Sequence, residues 1–394
     1  MLRSLFTPAR LVMAVFFMQA VLIANWYPRI PDVAAKIGGG PGDLAIGLLG
    51  MPVGTFLALT AIGPLVQRFS ARRLILAGFV VYSVSMALPG WAWNVPSLFV
   101  AMLLLGASYP IVDVSMNVEA ALIQDGLGRR IMNTCHGFWS VGSMVGAVIG
   151  AGFAQIALDT RWHLLIVAIV ALPVGLAVGN ALPARVSGPQ AGEPRQPAFA
   201  LPSVGMIGLC LLGFGMIMVE GGARNWGAVY LRDVLGASPG AAGIGFAIFM
   251  LAMAIGRFAG DRLADRYGPV IVARLCCILA FVGIVIVVVA RNYVEAAVGL
   301  AAEGLGVSVI YPLAVTAAAA RGDRPAPINV AALSLIAYSS ALVGPPLVGF
   351  VADAAGLRVG LAMLLPTALL STLLAGELKR RPPAAADSAV RIAT

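Results

Sequence analysis

Long apolar runs, separated by short breaks of glycine, proline and arginine, make up almost the whole of this 394-residue sequence. A helix needs about 20 apolar residues to cross the hydrocarbon core of a bilayer, and each run is about that length or longer. The runs are continuous rather than alternating, which favours helices over a membrane barrel. The sequence therefore predicts an all-α membrane protein with twelve transmembrane helices, at residues 10–30, 43–66, 73–92, 97–123, 132–157, 163–182, 203–227, 240–262, 270–290, 293–317, 328–351 and 357–378.

The composition excludes an ordinary soluble domain. Hydrophobic residues make up 60% of the chain and charged residues 11%, whereas soluble domains have about 45–50% and about 25%. The net charge of +9 would also be typical of a nucleic-acid-binding protein. However, the arginines lie in short loops at helix ends, where positive charge sets membrane topology. We therefore expect the chain to lie in a lipid bilayer and to have no nucleic-acid partner.

The distribution of positive charge predicts that both termini are cytoplasmic. Arg3 and Arg10 precede the first apolar run, and no small-residue cleavage site ends it, so we interpret it as a retained first helix and not a signal peptide. With the N-terminus inside, most loop arginines fall on the cytoplasmic side. The outer loops then hold Arg29, Lys36, Arg161, Arg232, Arg291 and Arg358.

Two similar halves are predicted on either side of a polar stretch at residues 183–202. This stretch is rich in proline and glycine, which precludes a regular helix and indicates a cytoplasmic linker. We expect a pseudo-symmetric pair of six-helix bundles at 1–182 and 203–380, followed by a tail at 381–394. Short motifs recur at an offset of about 200 residues, which indicates a duplicated unit. The recurring pairs are Arg68 and Arg266, Tyr109-Pro110 and Tyr311-Pro312, and Val145-Gly146 and Val343-Gly344.

These features resemble the major facilitator superfamily, which has six plus six helices, a polar linker and an arginine-rich loop after the second helix of each half. The first loop carries Gln67 where the family favours an acid, whereas the second keeps Asp265 and Arg266. The resemblance implies a gate, formed by Arg68, Asp265 and Arg266, that breaks when the halves rock. The alternative is that these charges only anchor the loops in the cytoplasm.

Several stretches are similar, more closely, to the fucose–proton symporter family. They are DVSMN at 113–117, MNTCHGFWSVG at 132–142, GRFAG at 256–260, YP at 311–312 and GFVADAAG at 349–356. The resemblance covers most of the chain and implies uptake of a small polar solute with a proton carried by Asp113. The chain departs from that family at Asn25, where the family has an acid, and at His136 and Trp139, where it has glutamine and asparagine. The sugar-contacting set is therefore altered.

Three acids within the apolar runs, Asp113, Glu220 and Glu303, are the candidate proton-coupling residues. A charge at mid-membrane costs about 2.5–3.5 kcal/mol on insertion scales, so it is usually kept only beside a cavity or a partner. Asp113 could be ionised beside an open cavity and protonated when the cavity closes, or could form a structural ion pair. Glu220 could pair with Arg224 one turn later, and the glycine pair at 221–222 predicts local unwinding there.

Polar and aromatic residues near these acids are the candidate substrate-binding residues. Asn117 follows Asp113 by four residues, so both lie on one helix face. The planar fork of Arg257 could bind a carboxylate or hydroxyls, or hold Asp113 across the halves. For the others the alternative is packing, or, for Trp226, a membrane-interface anchor. The full set is Asn25, Asn117, His136, Trp139, Trp226, Arg257 and Tyr311.

Two other groups have a structural interpretation. Glu119 is expected to form a salt bridge with Arg68, Arg129 or Arg130. The four cysteines lie in apolar runs and are interpreted as small buried hydrophobes. They are Cys135, Cys210, Cys276 and Cys277.

Taken together, these features predict a secondary active transporter of a small polar solute that works by alternating access and proton symport. Proton-coupled efflux of drugs or metabolites is the alternative within the same fold, and a non-transporting sensor is a further one. An enzyme is not expected, because the chain has only two histidines, His136 and His163, and no P-loop, nucleophile elbow or metal-spaced cluster. We expect no cofactor and no metal. The expected partners are a substrate, protons and lipid, and we expect a monomer in the bacterial inner membrane.

Overall fold

The structure, a computed structural model, describes residues 7–128, 131–183 and 201–379. These residues contain helices and no strand. Twelve of the helices are long and apolar enough to cross a bilayer, so the predicted number of spans is confirmed. The first six are α1 (Pro8–Ala24, continued by Ile30–Ile37), α2 (Pro41–Leu48 and Gly50–Arg68), α3 (Ala71–Ala87), α4 (Val95–Leu127), α5 (Met132–Gln155) and α6 (Thr160–Ala181).

The second six helices follow the predicted spans within a few residues. Over the whole chain, the largest difference from the predicted spans lies in α1. A 3-10 turn at Tyr27–Arg29 continues this helix to Ile37, beyond its predicted end at residue 30. The predicted linker at 183–202 and the tail at 381–394 lie largely or wholly outside the described residues. The second six are α7 (Ile207–Val229), α8 (Pro239–Tyr267), α9 (Pro269–Val289), α10 (Tyr293–Val307 and Ile310–Ala319), α11 (Ala326–Ala355) and α12 (Leu357–Ala362 and Leu365–Leu374).

Prolines account for two of the interruptions within these spans. Proline has no N–H, and its ring clashes with the carbonyl four residues earlier. Pro312 accordingly follows the break in α10 at 308–309, and Pro366 follows the break in α12. The predicted unwinding at the glycine pair 221–222 is wrong, because α7 is continuous from Ile207 to Val229. Both glycines keep their N–H, and in an apolar environment the helix satisfies its own backbone groups.

Glycines let helices within each half approach closely. A Cβ on Gly54 of α2 would collide with the backbone of α4, and a Cβ on Gly106 of α4 would collide with Met51 in α2. In the second half, a Cβ on Gly299 of α10 would lie 2.8 Å from the carbonyl oxygen of Gly283 in α9. Close contact between small residues is how membrane helices associate, since lipid provides little hydrophobic driving force between them.

The twelve helices form two halves, α1–α6 and α7–α12, that face each other. Across the halves, α5 packs against α8, and the first segment of α2 packs against α11. An even number of spans places Thr7 and Lys379 on the same side of the molecule, which we call the termini side; the opposite side is the loop side. α4 and the last segment of α10 pack within their own halves. The helix ends of the two halves meet on the loop side, so the cleft between the halves opens towards the termini side, where α5 and α8 still touch at Gly137 and Phe258.

Candidate functional site

Trp139, in the first third of α5, lies where the two halves meet. Its Nε1 donates a hydrogen bond of 2.7 Å to Oε1 of Gln19 on α1. The guanidinium carbons of Arg224 on α7 and Arg257 on α8 lie 5.0 and 5.9 Å from the centre of its ring system. One indole of the first half therefore contacts two cations of the second half, at cation–π distances.

The two arginines have different partners. Arg224 forms an ion pair with Glu220, one turn earlier on α7, as the i,i+4 spacing predicts. Arg257 donates a hydrogen bond of 2.7 Å to Oγ of Ser140 on α5 and forms no ion pair with a described residue. It therefore does not hold Asp113, which was one of its predicted roles. Arg257 is a cation whose hydrogen-bond partner is neutral.

Asp113 lies on α4, across the same space, and is partly buried. It interacts with the side chains of Tyr109 and Gln19, and it forms no ion pair with a described residue. Asn117 donates a side-chain hydrogen bond of 2.8 Å to the backbone carbonyl of Asp113, so the predicted shared face is confirmed. We define the central cluster as Gln19, Asp113, Trp139, Glu220, Arg224 and Arg257.

Two tyrosines of the second half lie beside the central cluster. The rings of Tyr311 on α10 and Tyr338 on α11 are 5.3 Å apart, and the hydroxyl of Tyr311 is 2.8 Å from Oγ of Ser334. Both tyrosines interact electrostatically with Asp113 across the halves. Tyr338 is nevertheless 47% exposed, and its interactions with Tyr311 and Asp113 place it on the side of α11 that faces the other half.

His136 lies one turn before Ser140 on α5, at the edge of the central cluster. Its ring packs edge-on against Phe16 of α1, with centroids 5.2 Å apart, and it interacts electrostatically with Arg257. It is partly buried. His136 therefore lies in the neighbourhood of Arg257.

Asn25, a predicted substrate-binding residue, lies outside the central cluster. It is fully buried. Its Nδ2 donates a bond of 2.8 Å to the carbonyl of Val21, and its Oδ1 is 3.0 Å from Nε2 of His163 on α6. Since both ends of the amide are occupied, Asn25 belongs to a buried hydrogen-bond network near the loop side.

Two further predicted residues also point away from the cleft. Glu303 is 3% exposed and lines a cavity of about 10 Å³ enclosed by α7, α9, α10 and α12. All of its walls belong to the second half, and it is too small for a solute. Trp226 is fully buried and packs against Gly349 of α11 on the loop side.

An ion pair joins the halves on the loop side. Asp32, in the continuation of α1, pairs with Arg29 and with Arg232, which follows α7. Arg29 is 3% exposed and also donates to the carbonyl of Leu158 (2.6 Å) and to Oγ1 of Thr160 (2.9 Å). Arg29 therefore fixes Asp32 within the first half, and Arg232 attaches the second half to it.

Two more contacts on the loop side occupy corresponding positions in the two halves. Gln155, at the end of α5, accepts a hydrogen bond of 3.0 Å from the backbone N–H of Gly240, at the start of α8. The carboxylate of Asp353, at the end of α11, lies against Gly40 and Gly42 at the start of α2. Each half thus places one side chain on the first turn of a helix in the other half. A carboxylate is favourable there because the N-terminal end of a helix is positive.

The predicted gate residues Arg68, Asp265 and Arg266 lie exposed on the termini side. The guanidinium groups of Arg68 and Arg266 lie over the rings of their neighbours Phe69 and Tyr267, at 5.7 and 5.2 Å. Asp265 forms no ion pair with a described residue. Contacts between these three residues, which the predicted gate requires, are therefore not formed among the described residues.

The salt bridge predicted for Glu119 has Arg68, Arg129 or Arg130 as its partner, and Arg129 and Arg130 lie outside the described residues. Glu119 itself is 1% exposed. Among the described residues there is no group of three histidine, cysteine, aspartate or glutamate side chains that could hold a metal. Three of the cysteines are buried and Cys276 is partly buried, and all four are free.

Sequence reasoning missed Ser140 and Tyr338 as neighbours of the site, and it did not select Gln19 as a member. Gln19 gave a usable signal, because an amide in an otherwise apolar helix needs a partner. Ser140 and Tyr338 gave no comparable signal, since short hydroxyls and aromatic rings occur on every face of membrane helices. The Asp32–Arg232 pair joins residues 200 positions apart, so local spacing could not reveal it.

Comparisons with known proteins agree with this architecture. The profile of the Major Facilitator Superfamily matches residues 11–321 and 209–392. An uncharacterised MFS-type transporter of Yersinia pestis is 31% identical over 363 residues, which cover 90% of this chain and 92% of that protein.

Two solved structures are similar in fold. The nucleoside transporter NupG has a TM-score of 0.73 at 12% identity, over 94% of this chain and 98% of that one. The fucose transporter FucP in its outward conformation has a TM-score of 0.64 at 16% identity, over 95% and 99%. The profile match, the Yersinia relative and the twelve spans lead to one conclusion: this chain belongs to the major facilitator superfamily and is a multi-pass bacterial membrane transporter.

Proposed function

We propose that the protein is a proton-coupled symporter that takes up a small polar solute by alternating access around the central cluster. The observation that carries this proposal is the position of that cluster. Ionisable groups from both halves converge beside a cleft that is open on one side and closed on the other. Rocking of the halves would expose such a site to each side in turn, as in other transporters with a midplane site.

Asp113 is the proposed proton carrier. It faces the space between the halves and has polar neighbours, Tyr109 and Gln19, but no cationic partner among the described residues. Contact with water in the open cleft stabilises its charged form. Closure removes that water, and an unpaired buried carboxylate is costly, so the protonated form is then favoured. Binding and release of the proton are thereby linked to the opening of the halves. The structure supports Glu303 less well as a carrier, because its cavity is separate from the cleft.

The proposed solute-binding residues are those that border the cleft near Asp113. Trp139 and Tyr311 offer aromatic surfaces, Arg257 offers hydrogen-bond donors, and Asn117 and His136 lie within a turn of the cluster. Glu220 orients Arg224 through their ion pair. A solute held by both halves would favour closure, because closure adds contacts to it.

Two sets of contacts form the proposed gates. On the loop side, the Asp32–Arg232 pair and the contacts of Gln155 and Asp353 hold the halves together. On the termini side, Arg68, Asp265 and Arg266 form the opposing gate when that side closes. The positive-inside rule assigns the termini side to the cytoplasm, so this conformation would be open to the cell interior.

Uptake by purified protein in proteoliposomes tests the proposal. We would screen pooled labelled sugars, sugar acids, nucleosides and cationic drugs under an imposed pH gradient, using wild type, Asp113→Asn and the control Glu303→Gln. Wild type should accumulate at least one solute. Asp113→Asn should lose accumulation but keep gradient-independent exchange of labelled for unlabelled solute. Glu303→Gln should accumulate like wild type.

Three results would count against parts of this proposal. Normal accumulation by Asp113→Asn would remove Asp113 as the carrier. Loss of accumulation in Glu303→Gln alone would move the coupling role to Glu303. Accumulation of a cationic drug only when the gradient favours proton exchange would identify an efflux antiporter.

A further inference from the structure

We infer that the solute carries a carboxylate, which binds at Arg257 with Arg224 as a second cation. This inference rests on the proposed function, since it assigns a substrate class to the same site. The relevant observations are the charges around Trp139, the hydrogen-bond donors that lack partners there, and the shape of the surrounding surfaces.

Arg257 is the cation beside Trp139 that has no directly paired acid among the described residues, although Glu220 and Asp113 belong to the same cluster. Arg224 and Arg257 both lie over its ring system. Glu220 is the acid paired with one of them, Arg224. Arg257 has Ser140 as its hydrogen-bond partner and no ion pair among the described residues. A permanently charged guanidinium in the middle of the membrane is costly without an anion. A ligand carboxylate would supply that anion.

The polar atoms without partners at this position are donors. They are the Nε atoms of Arg224 and Arg257, both buried and without a hydrogen-bond acceptor. A carboxylate is acceptor-only, with two oxygens that match the guanidinium fork. A cation such as an amine would instead add donors and repel both arginines.

The indole of Trp139 presents the arginines to such a ligand. A guanidinium that lies over an aromatic face keeps its in-plane N–H groups free for hydrogen bonds. Lysine cannot do this, because its ammonium is a point charge without a planar fork. The site therefore has the features of a carboxylate receptor that spans both halves.

The neighbouring surfaces indicate the shape of the rest of the solute. Tyr311 and Tyr338 form an aromatic pair beside Asp113, and Tyr338 is half-exposed. Aromatic faces suit a flat or ring-shaped body, and the hydroxyl groups provide polar contacts at its edge. We therefore assign the solute to ring-bearing monocarboxylates, which include sugar acids, cyclic hydroxy acids and aromatic acids.

Equilibrium binding to the purified protein tests this assignment. The probes are glucuronate, quinate and benzoate, with methyl glucoside and benzamide as neutral counterparts and benzylamine as the cationic one. We would measure affinity by calorimetry for wild type, Arg257→Gln, Arg257→Lys and the control Arg161→Gln on the loop side. Monodispersity in size-exclusion chromatography would verify that each variant is folded.

At least one carboxylate should bind, and its neutral counterpart should bind at least about tenfold more weakly. Arg257→Gln should weaken carboxylate binding by about tenfold to hundredfold, since it removes a charge-assisted contact. Arg257→Lys should bind with intermediate affinity, and Arg161→Gln like wild type. The inference is overturned if no carboxylate binds, if the amide or the amine binds as tightly, or if folded Arg257→Gln keeps full affinity.

These outcomes are separable from failure of the proposed function. If a carboxylate binds through Arg257 but its uptake is independent of protons, the substrate class stands and the coupling mechanism falls. If a neutral or cationic solute is transported with protons and Arg257→Gln does not affect it, the transport function stands and the carboxylate assignment falls.

Discussion

Replacing Arg232 with glutamine should open the loop side of the transporter. The ion pair between Arg232 and Asp32 joins the end of α7 to the continuation of α1. Glutamine removes the charge from the second half. Asp32 keeps its pair with Arg29, at 2.5 Å, so the buried network of the first half remains intact. The variant therefore removes an attraction between the halves without unpairing a buried charge.

The burial of this pair sets the expected magnitude. The side chains of Arg232 and Asp32 are 29% and 20% exposed. We therefore expect the pair's interaction free energy to lie between two classes. Exposed ion pairs contribute about 0–1 kcal/mol, and charge-assisted hydrogen bonds contribute about 1.5–3 kcal/mol. We expect a loss of about 1–2 kcal/mol, which changes the ratio of closed to open loop side by about 5- to 30-fold.

Pulsed electron paramagnetic resonance can measure this ratio. Spin labels at Trp93 and Val294 would report the separation of the halves, because these residues lie on the loop side and are 70% and 67% exposed. The four native cysteines would first be replaced. The wild type should give mainly short distances, and Arg232→Gln should give a larger fraction of long distances.

Arg161→Gln is the matched control for this experiment. Arg161 is also a loop-side arginine, but its pair with Asp159, at 3.0 Å, lies within one half. Its loss should leave the distance distribution unchanged. The reasoning is refuted if Arg232→Gln gives the wild-type distribution, or if the control shifts it equally.

Three other predictions concern single residues. Gly106→Ala should destabilise the protein by about 1–3 kcal/mol or more, because a Cβ there would collide with the backbone of α2. Gly152→Ala is the control and should not destabilise it, because a Cβ at Gly152 would meet open space. Thermal unfolding in detergent would compare the two variants. Asp353→Asn should weaken loop-side closure by about 0.3–1 kcal/mol, less than Arg232→Gln does, in the same distance measurement. Asp159 caps α6 by accepting from the Arg161 N–H, so Asp159→Ala should cost about 1 kcal/mol. The Arg161 side chain lowers the pKa of Asp159 in the folded protein. The stabilisation is therefore present above the ordinary aspartate pKa and is lost as the pH falls through the pKa of Asp159 in the folded protein. The thermal unfolding curves of the variant and the wild type should then converge in acid.

Most of the fold could be predicted from the sequence because each span reflects a simple physical requirement. A helix that crosses lipid must be long and apolar, and glycine, proline and arginine mark its ends. The exceptions depend on details that hydropathy does not contain. The continuation of α1 to Ile37 includes charged residues, among them Asp32 and Lys36, which find partners only in the assembled molecule. The intact α7 shows that a glycine pair permits unwinding without requiring it.

The candidate site was harder to predict, because membership depends on which way each side chain faces. The argument that a polar side chain in an apolar helix needs a cavity or a partner selects Asp113, Glu220, Arg257 and Tyr311. These four residues do lie together in the structure. The same argument also selects Glu303, but Glu303 lines a small enclosed cavity within one half and not the cleft. A one-dimensional pattern shows that a polar group is buried, but it does not distinguish the cleft from the interior of a bundle.

Proton movement in proteoliposomes is the most direct test of the central claim that Asp113 couples protons to solute. A pH-sensitive dye inside the vesicles would report protons while an inward solute gradient is applied without a pH gradient. We predict that wild type acidifies the lumen only when its solute is present, and that Asp113→Asn does not. Solute entry with no change of luminal pH, or equal acidification by Asp113→Asn, would contradict the account.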